Sequence, residues 1–247
     1  MYLRYTEGGY LIILPQDDPH RIVDVILDTS YGEEFCVSPD FSPDFIARLM
    51  EAGFLVMSCE IPDVDGQGES IYILLPKLHL TRSVLFFENL HIKKSVRPYL
   101  KLYELRPNAD FNRILDRCVE IHGTGWLTPP LLDAVRTIRE RSTAEQHTLP
   151  PPDNAAHPVS FALYRNGNLV AGEFGVIVGR VYTSYSGYYD EDNAGTVQLV
   201  KTSRYLQERG FDFFDLGMSL DYKTGLGALD ISPAEFVARF RQAQSPA

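Results

Sequence analysis

The chain has 247 residues, enough for one large domain or two, and carries a net charge of −10 with 45% hydrophobic residues. That negative surplus excludes a surface that clings everywhere to polyanions, so any nucleic-acid contact must come from a local basic patch. No stretch approaches the roughly 18 apolar residues of a membrane span, and three scattered cysteines, Cys36, Cys59 and Cys118, suit reduced thiols rather than a disulfide framework.

In chain order, Tyr2 to Tyr5, Tyr10 to Leu14 and Ile22 to Leu27 read as short strands of a small N-terminal sheet. Tyr10 to Leu14 is too short for a signal-peptide core, and the expected location is cytoplasmic. Ser42 before Pro43 is a helix start, with the hydroxyl as cap. Phe45, Ile46, Leu49 and Met50 then form a helical apolar stripe that Gly53 stops. Phe54 to Ser58, Ile71 to Leu75 and Ser83 to Phe87 are strand-like. Asp63 to Ser70 is acidic and glycine-rich, expected as an exposed loop whose oxygen ligands are wrongly spaced for calcium.

His91 to Arg106 breaks with the acidic average, because Lys93, Lys94, Arg97, Lys101 and Arg106 outnumber Glu104. Either this is a solvated face beside an apolar strand or it docks a phosphate backbone. Phe111 to His122 and Pro129 to Arg141 are predicted helices, the second capped by Thr128, with the chain's sole tryptophan, Trp126, between them. Ser142 to Ala156 is a polar, proline-rich loop.

The centre of the sequence lies between Val159 and Asp215. Ser160 to Tyr164, Leu169 to Val178 and Val181 to Tyr185 are predicted strands joined by Asn/Gly and Gly-Arg turns. A helix follows, capped by Asn193 and closed by Gly210, then a short apolar strand from Phe211 to Leu216. That order suits an N-acyltransferase fold in which two splayed strands cradle an acyl carbonyl. Lys223 to Gly227 has the wrong order for a P-loop and is expected as a turn. A last helix runs from Ile231 to Arg241, with Ser232 and Glu235 as a capping box.

The six histidines and three cysteines make no metal spacing, and no nucleophile elbow or Walker loop occurs. Coenzyme A would place a pyrophosphate where the loop enters the central helix. Here that loop is Asp190-Glu-Asp192, whose charges repel it. No cofactor is expected.

Several runs in fixed order carry a resemblance: LHIKKS (Leu90 to Ser95), GTGWLT (Gly123 to Thr128), LVAGEFGVIVGRVY (Leu169 to Tyr182), FFDLG (Phe213 to Gly217) and LGA (Leu226 to Ala228), with FSPDFIARLMEAGF (Phe41 to Phe54) upstream. Together they resemble the bacterial leucyl/phenylalanyl-tRNA–protein transferases. The resemblance implies a mixed α+β chain, with a small N-terminal domain over residues 1–80 and an N-acyltransferase-like (GNAT-like) domain over residues 81–247. It implies transfer of leucine or phenylalanine from charged tRNA to a basic protein N-terminus, marking the acceptor for degradation. The expected protein is a monomer without a membrane partner.

The same resemblance implies the site. Asp215 falls on the family's proton-relay aspartate, and Trp126 on a tryptophan lining the site. Tyr182, Leu199, Leu206 and Phe214 fall on the amino-acid pocket, and Lys93, Lys94, Arg97 and Lys101 on the tRNA-contacting stretch. This sequence departs from the pattern elsewhere. A glutamine two residues after the aspartate is Gly217, and a glutamate is Tyr185. The adenosine-stacking tryptophan is Met57, which forgoes a platform worth ~1–3 kcal/mol. A His and a Glu become Val159 and Ala162 while Ser160 remains, Arg82 alone keeps a WSPxxR register, and a Ser-Lys pair becomes Gly195-Thr196. Hydroxyls of Tyr185, Tyr188 and Ser219 are candidate substitutes. Two alternatives stay open: an N-acyltransferase with a non-tRNA donor, and a catalytically silent member that binds tRNA or N-termini.

Overall fold

The computed structural model describes residues 3–29, 31–61, 70–142 and 149–245. A mixed α+β architecture is built on a seven-stranded sheet of order β11-β5-β10-β9-β8-β7-β6. Its strands are β5 (Arg82–Leu85), β6 (Glu104–Pro107), β7 (His157–Arg165), β8 (Asn168–Val178), β9 (Val181–Tyr189), β10 (Phe213–Gly217) and β11 (Leu229–Ile231). Among these strands only the β9–β10 pair is parallel. The crossover between them is α5 (Ala194–Glu208), as a parallel connection requires.

Central strands covered on both faces read as nearly continuous apolar runs, and β8 is buried at every position but Asn168. Along β7 the faces alternate. Val159 and Phe161 join a cluster with Leu206 and Phe214, under α5. Ala162 and Tyr164 join the other cluster, with α3 (Phe111–His122) and α4 (Pro129–Arg141). A bulge at Phe174/Gly175 shifts the β8–β9 register. There a Cβ on Gly175 would lie 2.1 Å from the Thr183 carbonyl oxygen, so only glycine fits.

Ahead of this sheet lie two hairpins, β1 (Arg4–Tyr5) with β2 (Leu11–Ile12) and β3 (Leu55–Ile61) with β4 (Ile71–Lys77). Two helices accompany them, α1 (Pro19–Asp28) and α2 (Pro43–Glu51). The first apolar cluster runs without a break from Ile22 and Phe45 to Val176, Phe213 and Phe240. The chain ends in α7 (Pro233–Gln242), where the Ser232 hydroxyl accepts the Glu235 N–H at 3.2 Å, one half of the expected capping box, while the Glu235 carboxylate accepts from Arg239 at 2.9 Å.

Several expectations need correction. Ile22 to Leu27 is helical, inside α1. Asp18 caps it by accepting the His20 N–H at 3.0 Å, Pro19 opens it, and Ile22, Val23 and Ile26 form its buried face. Ser42 precedes α2, but its side chain makes no cap bond and turns to the Asp40 carboxylate instead. Thr128 likewise gives up capping for a 2.8 Å bond with the Ser58 hydroxyl. Asn193 adopts the left-handed conformation ahead of α5 with no side-chain cap bond. The segment starting at Lys223 is in part helical, since α6 spans Asp221–Thr224. The acidic loop expected from Asp63 to Ser70 lies outside the described residues except at Ser70, as does Tyr2.

Candidate active-site cleft

β9 and β10 pair from Val181/Phe213 to Thr183/Asp215 and then part. β9 continues to Tyr189 along β8, whereas β10 stops at Gly217 and the chain turns off toward α6. The gap opens into a cleft of about 590 Å³ between Ser184–Gly187 of β9 and Leu216 and Gly217 of β10, with Met218 just beyond. Leu55 and Met57 of β3, Trp126 and Lys223 close its remaining sides. Trp126 is brought there by stitching: its carbonyl accepts the Ser58 N–H at 2.9 Å and the Ser58 hydroxyl at 3.1 Å. That bond fixes the loop between α3 and α4 beside Met57.

Asp215 sits directly behind the cleft and is 0% exposed. Its Oδ1 accepts Arg82 Nε–H at 2.8 Å and the Gly217 N–H at 2.9 Å. Its Oδ2 accepts Arg82 Nη2–H at 2.6 Å and the Thr183 hydroxyl at 2.8 Å. The buried carboxylate thus meets four donors, two of them on the guanidinium of Arg82. Arg82 also stacks over the Phe236 ring, 4.3 Å from its centroid. Asp215 therefore fixes the backbone of the cleft wall through Gly217, which has φ of +69°.

Lys223 holds the same wall from the other side. Its Nζ donates to the Leu216 carbonyl at 2.6 Å and the Met218 carbonyl at 2.7 Å. Burial draws its pKa down to about 8, and Arg82 assists while Asp215, Glu173 and Asp230 oppose. His79 also lines the cleft and is 5% exposed. Its Nε2 has no hydrogen-bond partner among the described residues and would lie 3.8 Å from a Cβ built on Gly217. Burial, reinforced by Arg82, Lys77 and Lys223, pushes the imidazole pKa down to about 2, so it is neutral. Deeper, Glu173 of β8 accepts the Ser184 hydroxyl at 3.0 Å, and burial raises its pKa to about 7.

Of the residues expected at the site, Met57, Trp126, Tyr185 and Gly217 converge on this cleft. The Tyr185 hydroxyl accepts the Val56 N–H at 3.1 Å, which leaves its proton for another partner, and burial raises its pKa. Tyr182, Leu206 and Phe214 lie elsewhere: all are 0% exposed in the apolar core under α5, with Tyr182 and Phe214 rings 5.2 Å apart. Ser160 is also fully buried and donates to the Ala109 carbonyl at 2.7 Å. Leu199 lines a second cavity of about 250 Å³ with Lys93 and Thr196, and Tyr222 borders both cavities. Lys93, Lys94, Arg97 and Lys101 are all exposed, and Lys93 is the one of them that lines the second cavity, which Tyr222 separates from the cleft. Of the three candidate substitute hydroxyls, Tyr185 alone reaches the cleft; Tyr188 is buried against the α3 side, and Ser219 donates to Asp230 at 2.6 Å.

Sequence reasoning missed Lys223, His79 and Glu173. A lone glutamate inside LVAGEFGVIV was a signal, because a charge in an otherwise buried run needs partners. Lys223 and His79 gave none, since their neighbours come from distant segments.

The family model described as leucyl/phenylalanyl-tRNA protein transferase matches residues 84–241, which hold the whole seven-stranded sheet except the first two residues of β5. A leucyl/phenylalanyl-tRNA–protein transferase of Pseudomonas putida is 31% identical over 161 residues, covering 63% of this chain and 65% of its own. The match thus spans just under two thirds of that relative's length. The Campylobacter lari protein of the same description is 24% identical over 200 residues, covering 81% and 85%. A solved structure described as L-PGS from Bacillus licheniformis aligns with 98% of this chain and 88% of its own, at 9% identity and a TM-score of 0.42. No helix among the described residues is long and apolar enough to cross a membrane. With the family model matching well over half of its length, the chain belongs to the leucyl/phenylalanyl-tRNA protein transferase family.

Proposed function

We propose that this protein transfers an apolar amino acid of the leucine or phenylalanine type from charged tRNA to the α-amine of a protein N-terminus, with the reaction centred in the β9–β10 cleft. The observation that carries this reading is the convergence of Met57, Trp126, Tyr185 and Gly217 on a cleft at the point where the two parallel strands separate. Family membership and the exposed basic segment supply the donor class. The domain division at residue 80, an N-acyltransferase-like ancestry of the sheet and the role of transfer in marking proteins for degradation belong to the same proposal.

The donor ester is already activated, so the cleft must hold its carbonyl, admit an amine and move protons. An α-ammonium with pKa near ~8 must first lose one. Lys223, poised at about 8 and tethered by two carbonyls, takes that proton. The freed amine nitrogen attacks the ester carbon, the C–N bond forms and the bond to the ribose oxygen breaks. A second proton leaves the nitrogen and ends on that oxygen, so the products are an amide and a tRNA hydroxyl. The Tyr185 hydroxyl is placed to donate to the carbonyl oxygen as charge develops there. Asp215 does not meet substrate in this scheme; it positions Arg82 and the Gly217 backbone.

Incubating the protein with labelled leucyl- and phenylalanyl-tRNA and a panel of peptides tests the reading, with Lys223→Met as control. Transfer that Lys223→Met abolishes supports it; no transfer from any charged tRNA removes it. One observation favours a silent binding member instead, namely that Asp215 is closed off from the cleft by its own partners. Peptide and tRNA binding without product would establish that alternative.

A further inference from the structure

Glu173 is a buried acid that the proposed reaction leaves idle. It lies in β8, a strand buried at every position but Asn168, and is itself 3% exposed. A carboxyl group in such a run is costly unless hydrogen bonds compensate it, and here they do so on one side only. Its Oε2 accepts the Ser184 hydroxyl at 3.0 Å, while Oε1 has no hydrogen-bond partner among the described residues. Thr202 and Gln198 of α5 also stand beside the group.

Ser184 connects this acid to the cleft. It is half-buried and lines the cavity, and its hydroxyl proton is given inward to Glu173. A hydroxyl that donates in one direction keeps lone pairs with which to accept a proton from another. Asp215 has no such outlet. Its oxygens are taken up by Arg82, Thr183 and the Gly217 N–H, and Thr183 is not among the residues lining the cleft. Burial holds the pKa of Glu173 at about 7, where a carboxyl can take up a proton and return it near neutral pH.

We infer that Glu173, acting through the Ser184 hydroxyl, carries the second proton of the transfer from the attacking nitrogen to the ribose oxygen. Once the C–N bond has formed, the nitrogen still holds one proton too many. It passes that proton to Ser184 Oγ, whose own proton moves to the Glu173 carboxylate. When the bond from the acyl carbon to the ribose oxygen breaks, that oxygen takes a proton from Ser184, and Ser184 recovers the one on Glu173. Both side chains end as they began, and Lys223 keeps its part as acceptor of the first proton. Glu173 touches no reacting atom and is a positioning residue for the serine's proton. The inference rests on the cleft being the site of transfer.

Single-turnover transfer of leucine from charged tRNA to a peptide with an N-terminal arginine tests it, in the wild-type full chain, Glu173→Gln, Ser184→Ala and the double variant. Each single variant is expected to lower the maximal rate by about 10²-fold, with the peptide concentration for half-maximal rate unchanged. The double variant is expected to be no slower than either, because both residues serve one proton path. Urea titrations near pH ~8 separate this from a structural part, since Glu173→Gln should there be at least as stable as wild type. A single variant that keeps the wild-type rate, losses that multiply in the double variant, or a fall confined to peptide affinity overturns the inference and leaves the proposed function in place. No transfer by the wild type from any charged tRNA overturns both.

Discussion

Arg82 and Asp215 form a two-point ion pair across neighbouring strands β5 and β10, with Nε to Oδ1 at 2.8 Å and Nη2 to Oδ2 at 2.6 Å, both side chains out of water. The pair fastens the strand that ends at the cleft, so removing one charge abandons the other in the interior. Asp215→Asn is expected to cost about 3–5 kcal/mol of stability, read as a fall in the urea midpoint. A loss under about 1 kcal/mol would show that water reaches the pair. Activity of this variant is interpretable only after its folded fraction is measured.

In the proposed reaction Lys223 has the opposite profile, a modest structural part and a large chemical one. Lys223→Met is expected to lower transfer by roughly 10²-fold, most of all below about pH 8, where the acceptor amine is protonated and needs the base, and to leave a rate that rises as the amine itself deprotonates. Single-turnover rates from about pH 6 to 9, a span that brackets the ordinary α-amine pKa, check this. A variant that keeps both rate and pH profile would return Lys223 to a purely structural tie between Leu216 and Met218.

Glu173 makes stability depend on pH. Its folded pKa of about 7 exceeds the ordinary carboxyl value because burial disfavours the anion. Such a group favours the folded state below its unfolded pKa and loses that contribution as pH rises through the folded one. The penalty above neutrality is about 3 kcal/mol at most. Glu173→Gln should therefore match wild type near pH ~5 and exceed it near pH ~8, in urea titrations at both values. Equal stability on the alkaline side would mean the carboxylate is better solvated than its surroundings suggest.

At Gly217 the backbone has φ of +69°, and a Cβ would meet Leu55 at 3.4 Å. Gly217→Ala should cost about 1–2 kcal/mol, from left-handed backbone strain more than from a clash. Thermal unfolding tests it; a neutral effect would show that the segment relaxes.

The basic segment should dominate donor binding. Replacing Lys93, Lys94, Arg97 and Lys101 with alanine should reduce the slope of log affinity for tRNA against log salt by about 3–4, at roughly 0.9 for each phosphate left without its cation. An unchanged slope would place the tRNA on another surface.

Much of the architecture was legible in local patterns. Paired turns around the runs from Ser160 to Tyr185 gave three strands because alternation and turn chemistry act over a few residues. Prolines behind Ser42, Thr128 and Ser232 marked three helix starts through their fixed φ, even where the hydroxyl then bonded elsewhere. The six residues from Ile22 to Leu27 misled because a short apolar run fits either period, and the Asp18-Pro19 pair that decides for a helix lies just ahead of it.

Composition, turn residues and the order of short motifs determined the element sequence, the family and the basic segment, since each of these is written in neighbouring residues. Tertiary structure alone decided what the site contains. It turned Tyr182, Leu206 and Phe214 into core and shut Asp215 behind Arg82. It also drew His79 and Lys223, 144 positions apart, to one cleft. A side chain's charge state and access depend on what long-range packing sets against it, and no local pattern encodes that.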